Sequence, residues 1–221
     1  NMGCNLERSR LSVEYAEKYS FMYAAVGIHP EDVEGTPADY LDTLKKWAVL
    51  PKTVAIGEIG LDYHYEGYDP DLQKRIFREQ LDLAEQLCLP VVIHSRDATE
   101  DTMSILRERG KVNGVMHCFS GSAETAKQVL ALGLNISFTG VLTFKNARRA
   151  IEALEAVPMD RLMLETDCPY MAPEPNRGKR CDSGMIVHII QKIAEVKGVS
   201  PELVAKQTTE NTLKLFWKMN A

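Results

Sequence analysis

Short apolar runs with the length of buried strands alternate with amphipathic helical stretches along the whole chain, and no other feature restricts its fold as strongly. Met22 to Ile28 reads as a strand closed by His29-Pro30. Val54 to Ile56 reads as a strand that runs into Gly57-Glu58, and Leu89 to Ile93 as one that ends at His94. Gly114 to Met116 ends at His117, Asn135 to Phe138 is stopped by Gly140, and Leu162 to Leu164 leads through Glu165 to Asp167. Helical spacing fills the gaps: Pro37 to Val49, Asp71 to Leu87 with a stripe of Leu72, Ile76, Leu83 and Leu87, Thr99 to Arg109, a helix capped by Ser122, and Asn146 to Ala156. A helix through Leu11, Tyr15 and Tyr19 comes before the first strand, and two more helices close the chain.

Strands that are each followed by a helix imply a parallel sheet. A doubly wound open sheet and a (β/α)8 TIM-type barrel both satisfy that pattern. Ligands of an open sheet gather at its switch point, so few strand ends contribute. A barrel brings every carboxyl end around one mouth. Here His29, Glu58, His94, His117 and Asp167 are each expected at the end of a separate strand. The fold class predicted is therefore α/β, the TIM-type barrel, as a single domain over residues 1–221. Its first strand and most of its second would precede Asn1.

Three histidines and two carboxylates on one mouth form the ligand set of a hydrolytic metal site. Imidazole with carboxylate suits zinc, manganese, iron or cobalt, and magnesium where carboxylates and waters dominate. A carboxylate can bridge two cations that activate water and hold a phosphoryl oxygen, and Glu58 is the candidate for that place. Asp167 could bind one metal and accept the proton of its attacking water. Glu165, two residues earlier on the same strand face, would partner a ligand histidine. Taken singly, His94 or His117 would more often be a satisfied core histidine; their joint occurrence at strand ends reverses that balance. His64 and His188 read as structural or solvated, and Cys118 and Cys168 as small buried side chains rather than metal thiolates.

The net charge of −5 argues against a protein that coats a polyanion through its overall field. Phosphate recognition must then be local. The run Asn176-Arg177-Gly178-Lys179-Arg180, just past Asp167, offers Arg177 and Lys179 for it, and Arg96 lies two residues beyond His94. Five cysteines, odd in number and without a C-x-x-C pair, favour free thiols in a reducing compartment, the cytoplasm. No apolar run has the length of a bilayer span, and nothing marks an obligate protein partner.

Several stretches together resemble successive motifs of the TatD family. They are Ala25-Val26-Gly27-Ile28-His29-Pro30, Gly57-Glu58-Ile59-Gly60-Leu61-Asp62-Tyr63, Val92-Ile93-His94-Ser95-Arg96 and Met116-His117-Cys118-Phe119-Ser120-Gly121. Glu165-Thr166-Asp167-Cys168-Pro169-Tyr170, the Asn176–Arg180 run and Thr209-Glu210-Asn211 continue the series. The resemblance implies a metal-dependent deoxyribonuclease on an amidohydrolase-like barrel. It implies Glu58 bridging two metals, with His94 and His117 on one and Asp167 on the other, and His29 facing the substrate phosphate. The family also begins with a strand bearing a His-x-His pair, and this sequence has none. The function expected is hydrolysis of DNA, as a single strand or at a strand end, by a water activated by two divalent metal ions (zinc, manganese or magnesium). The alternatives are an amidohydrolase cleaving a C–N or ester bond of a small molecule, and a degenerate barrel kept for binding.

Overall fold

The computed structural model describes residues 1–220. Six strands alternate with eight α-helices among the described residues. The strands are β1 (Ala24–Val26), β2 (Thr53–Asp62), β3 (Val91–Arg96), β4 (Gly114–Met116), β5 (Asn135–Phe138) and β6 (Leu162–Leu164). The helices are α1 (Leu6–Lys18), α2 (Tyr40–Ala48), α3 (Pro70–Gln86), α4 (Thr99–Arg109), α5 (Ala123–Ala131), α6 (Arg148–Ala156), α7 (Ile186–Lys197) and α8 (Pro201–Leu215). The strands follow one another in the sheet strictly in chain order. A doubly wound sheet reverses its order at a switch point; this one never does, which is the winding of the α/β barrel class. Among the described residues no helix is long and apolar enough to cross a membrane.

The chain forms two compact units, Asn1–Val115 with the segment from Leu215, and Met116–Lys214. In the first unit β1 pairs in parallel with β2, and β2 with β3. Ile56, Ile59, Leu61, Ile93 and Phe77 are fully buried there. The stripe expected on α3 needs correction at two positions. Gln73 and Gln80 are buried where Leu72 and Leu87 were expected to be. The reason is a backbone need: Gln80 accepts from Ile28 N–H at 2.7 Å and donates to Ile28 C=O at 3.0 Å. Gln73 does the same for Asp62, at 2.9 Å each way. Two amides, two helical turns apart on one face, thus satisfy both backbone groups of Ile28, just past β1, and of Asp62, at the end of β2. They fix the chain just before His29 and at Asp62.

A second correction concerns β2, which does not stop near Gly57-Glu58 but continues to Asp62. Its glycines do not break the strand. They admit close neighbours: a Cβ on Gly57 would lie 2.7 Å from Val92 Cβ, and one on Gly60, at φ +146°, 1.9 Å from His94 O. Against β3 the register passes from Ile56↔Val91 to Ile59↔Ile93, three residues on one strand for two on the other. That extra residue is a bulge at Gly57-Glu58, the device that re-aims a side chain. Glu58 therefore sits within a strand, and His94 within β3 rather than at its end.

In the second unit β5 pairs in parallel with β6, and Phe138, Leu134, Ile136 and Leu162 are fully buried. Ser122 caps α5 by accepting from Thr125 N–H. Buried Asn211 of α8 donates to Met159 C=O at 2.8 Å and Leu162 C=O at 2.7 Å, which ties the start of β6 to that helix.

Candidate metal centre

In the first unit the bulge turns Glu58 toward His94, which β3 presents opposite Gly60. Glu58 Oε1 lies 3.0 Å from His94 Nδ1 and 3.6 Å from His29 Nε2. Donor atoms of His29, Glu58 and His94 all fall within 4.8 Å of one another. The other imidazole nitrogen, His94 Nε2, is 2.8 Å from Asp62 Oδ2. This donor set fits a hard-to-borderline divalent cation. Asp62 accepts the Nε2 proton, which fixes the tautomer and leaves Nδ1 as the donor atom beside the Glu58 carboxylate.

His29 belongs to the group by distance but differs in its proton. Its Nδ1 accepts from Glu31 N–H at 3.2 Å, at the start of a 3-10 turn. The neutral ring then carries its proton on Nε2 and offers a hydrogen-bond donor there, not a lone pair. His29 is thus suited to an acceptor oxygen rather than to a cation.

Asp62, bonded to His94, is a candidate functional residue that the sequence reading passed over. It is 2% exposed. Burial alone would raise its carboxyl; the hydrogen bonds from His94 and from the His64 backbone N–H, with the nearby charges of His94 and Arg96, outweigh that and hold it below the usual carboxylate range. Asp62 therefore stays ionised at neutral pH. Asp62→Asn is expected to weaken cation binding by about 10- to 100-fold, the scale for losing the partner that orients a ligand histidine. Calorimetric titration with manganese measures it, and affinity within a factor of about two of the parent would remove Asp62 from that role.

In the second unit His117 directly follows β4, and its Nδ1 lies 3.0 Å from Glu165 Oε1. Glu165 also accepts from Cys118 N–H at 2.7 Å. Burial pushes the Glu165 carboxyl up, but the His117 charge and hydrogen bond, the Cys118 N–H and the Ser137 hydroxyl bring it below its ordinary value. With Nδ1 held in this way, Nε2 is the His117 nitrogen that would serve a cation. Asp167 stands three residues past β6, in a turn closed by Tyr170 N–H on Asp167 C=O at 2.7 Å. The Cys118 thiol is pushed up to about 11, chiefly by burial, with Glu165 and Asp167 adding to it.

Cys168 is exposed, against the expectation of a buried side chain, because β6 has ended before it and strand alternation no longer applies. His64 turns away from the cluster to Asp97, with Nδ1 2.8 Å from Oδ2. Arg96 ends β3 opposite Asp62, with its guanidinium 5.4 Å from the centre of the Tyr65 ring. Arg177 lies over Phe144 at 4.3 Å, and Lys179 Nζ donates to Asn176 Oδ1 at 3.4 Å; both are exposed.

Known proteins resemble this chain over nearly its whole length. Residues 1–217 match the TatD related DNase family. The uncharacterized metal-dependent hydrolase YabD of Bacillus subtilis (strain 168) is 45% identical over 207 residues, 93% of this chain and 81% of that protein. The uncharacterized metal-dependent hydrolase YcfH of Escherichia coli (strain K12) is 42% identical over 192 residues, 86% of this chain and 72% of that protein. Among solved structures, YjjV, a TatD homologue from Escherichia coli K12, superimposes with a TM-score of 0.92 at 29% identity, over 97% of this chain and 84% of that one.

Proposed function

The chain belongs to the TatD related DNase family, and from that premise we propose that it is a metal-dependent hydrolase cleaving phosphodiester bonds of DNA, working from a strand end. The observation that carries the metal dependence is the chain Glu58–His94–Asp62: a carboxylate beside one imidazole nitrogen and a buried, ionised carboxylate holding the other. Glu58 and His94 would hold a divalent cation in the first unit, and His117 and Asp167 would serve as cation ligands from the second. When bound, such ions polarise a phosphoryl oxygen and lower the pKa of water.

The protein's own residues supply the rest. Asp62 keeps the His94 proton on Nε2, and Glu165 keeps that of His117 on Nδ1. His29 Nε2–H donates to a non-bridging phosphate oxygen. Asp167 takes the proton of the attacking water. The free thiols suit a reducing compartment, and we place the work in the cytoplasm.

Arg177 and Lys179, both exposed, hold the neighbouring phosphate. With only these two and Arg96 engaged, the log–log slope of affinity against salt should be about −2 for single strands. Arg177→Ala and Lys179→Ala should each flatten it by about 0.7 and raise KM for DNA. The experiment is cleavage of an end-labelled single-stranded oligonucleotide, beside a circular one, with manganese, magnesium or zinc added, as a function of salt. Cleavage of the linear strand alone, with the flatter slopes in the variants, supports the reading. No cleavage with any of the three metals points instead to a C–N or ester bond of a small molecule, and unchanged slopes return the basic loop to solvent.

A further inference from the structure

Between β2 and α3 the chain reads Tyr63-His64-Tyr65-Glu66-Gly67-Tyr68, four rings in six residues, none of which the chemistry above employs. With Pro70 these residues line an open cavity of about 390 Å³, within the range of small-molecule sites. The rings are held in place. Tyr63 O–H donates to Asp101 Oδ2 at 2.8 Å, and Lys74 Nζ lies 2.7 Å from the same oxygen. Tyr68 stacks on Tyr63 with centroids 5.0 Å apart and planes 3° from parallel. Tyr65, 57% exposed, packs edge-on against His64 and has the Arg96 guanidinium near its face.

Asp62 joins this platform to the candidate metal centre. Its Oδ1 accepts from His64 N–H at 2.8 Å while its Oδ2 holds His94 Nε2. A merely solvated loop has no need of a buried anchor shared with the cation site. An exposed ring fixed in advance binds a second flat ring at low entropic cost, and every nucleobase has such a face.

We propose that this cavity is a nucleobase subsite, in which a base next to the scissile phosphate stacks on Tyr65; the proposal rests on the DNA-cleaving reading above. Arg96 completes it, with a cation for the ring face or for the phosphate of the same nucleotide. Glu66 is the one carboxylate lining the cavity, and it can accept from the exocyclic amino group of adenine, cytosine or guanine. Stacking without a fixed donor–acceptor pattern tolerates sequence, so the site should take any base, and purines best.

The test compares kcat/KM for a single-stranded oligonucleotide with that for the same strand carrying tetrahydrofuran abasic residues at both ends. The parent is expected to prefer the intact strand by about 10-fold or more. Tyr65→Ala should bring the ratio to within about twofold of one, and Tyr65→Phe should keep it, since the ring and not the hydroxyl does the stacking. A ratio already near one in the parent, or one that survives in Tyr65→Ala, overturns the subsite and leaves DNA cleavage standing. A fold defect would slow both strands alike without removing the preference. If neither strand is cleaved while a small activated phosphodiester is, the DNA reading itself has failed and the base site falls with it.

Discussion

Replacing Glu58 by Gln is expected to cost the protein its divalent metal, with affinity falling by more than about 100-fold. Loss of a partner that merely orients a ligand lowers affinity by about 10- to 100-fold, and Glu58 contributes a full negative charge next to the cation. Glutamine preserves size, and its amide can donate to His94 Nδ1 or accept from His29 Nε2–H, nitrogens that lie 3.0 and 3.6 Å from the present carboxylate oxygen. The backbone at this point is also anchored independently of the side chain, by Glu58 N–H donating to Gly3 C=O at 2.8 Å. The substitution therefore tests charge rather than shape. Elemental analysis after dialysis, with a thermal melt beside it, separates the two: the variant should melt as the metal-stripped parent does. Metal retained at the parent's stoichiometry would show that Glu58 is not a ligand.

The order of elements was legible because each strand is short, apolar and followed by an amphipathic helix. β4, β5 and β6 and the helix Thr99–Arg109 fall where the periodicity placed them. What misled was the length of β2. The apolar run ends at Ile56, yet the strand continues to Asp62, with Gly57 and Gly60 inside it letting Val92 and the His94 carbonyl come close. Had the strand been carried through them, Glu58, Gly60 and Asp62 would have shared one face by the two-residue repeat, and Asp62 would have joined the candidate set. Gln73 and Gln80 had no signal of their own. Polar residues on a helix read as its wet face, and only the backbone groups of Ile28 and Asp62, which they bond, make them buried. The Tyr63–Tyr68 run was visible as composition, but nothing in spacing says that Tyr68 lies flat on Tyr63. That depends on the turn which Asp69 closes by capping α3.

Asp167→Asn should lower kcat by more than about 100-fold, the ordinary scale for removing a general base. The carboxylate is placed for that work by its turn, which Tyr170 N–H closes, and near enough to Cys118 and Cys181 for its charge to push both thiols up. Asp167 is also proposed as a cation ligand, so a fall in rate at one metal concentration would not distinguish the two roles. Raising manganese to saturation does. A lost ligand can be compensated by mass action, whereas an amide cannot accept the water proton at any metal concentration. The acidic limb of the kcat/KM profile, which reports the base of the free enzyme, should vanish in the variant with the rate still depressed. Activity within a few-fold of the parent at saturating manganese would mean that another group accepts the proton and that Asp167 serves only to hold the cation.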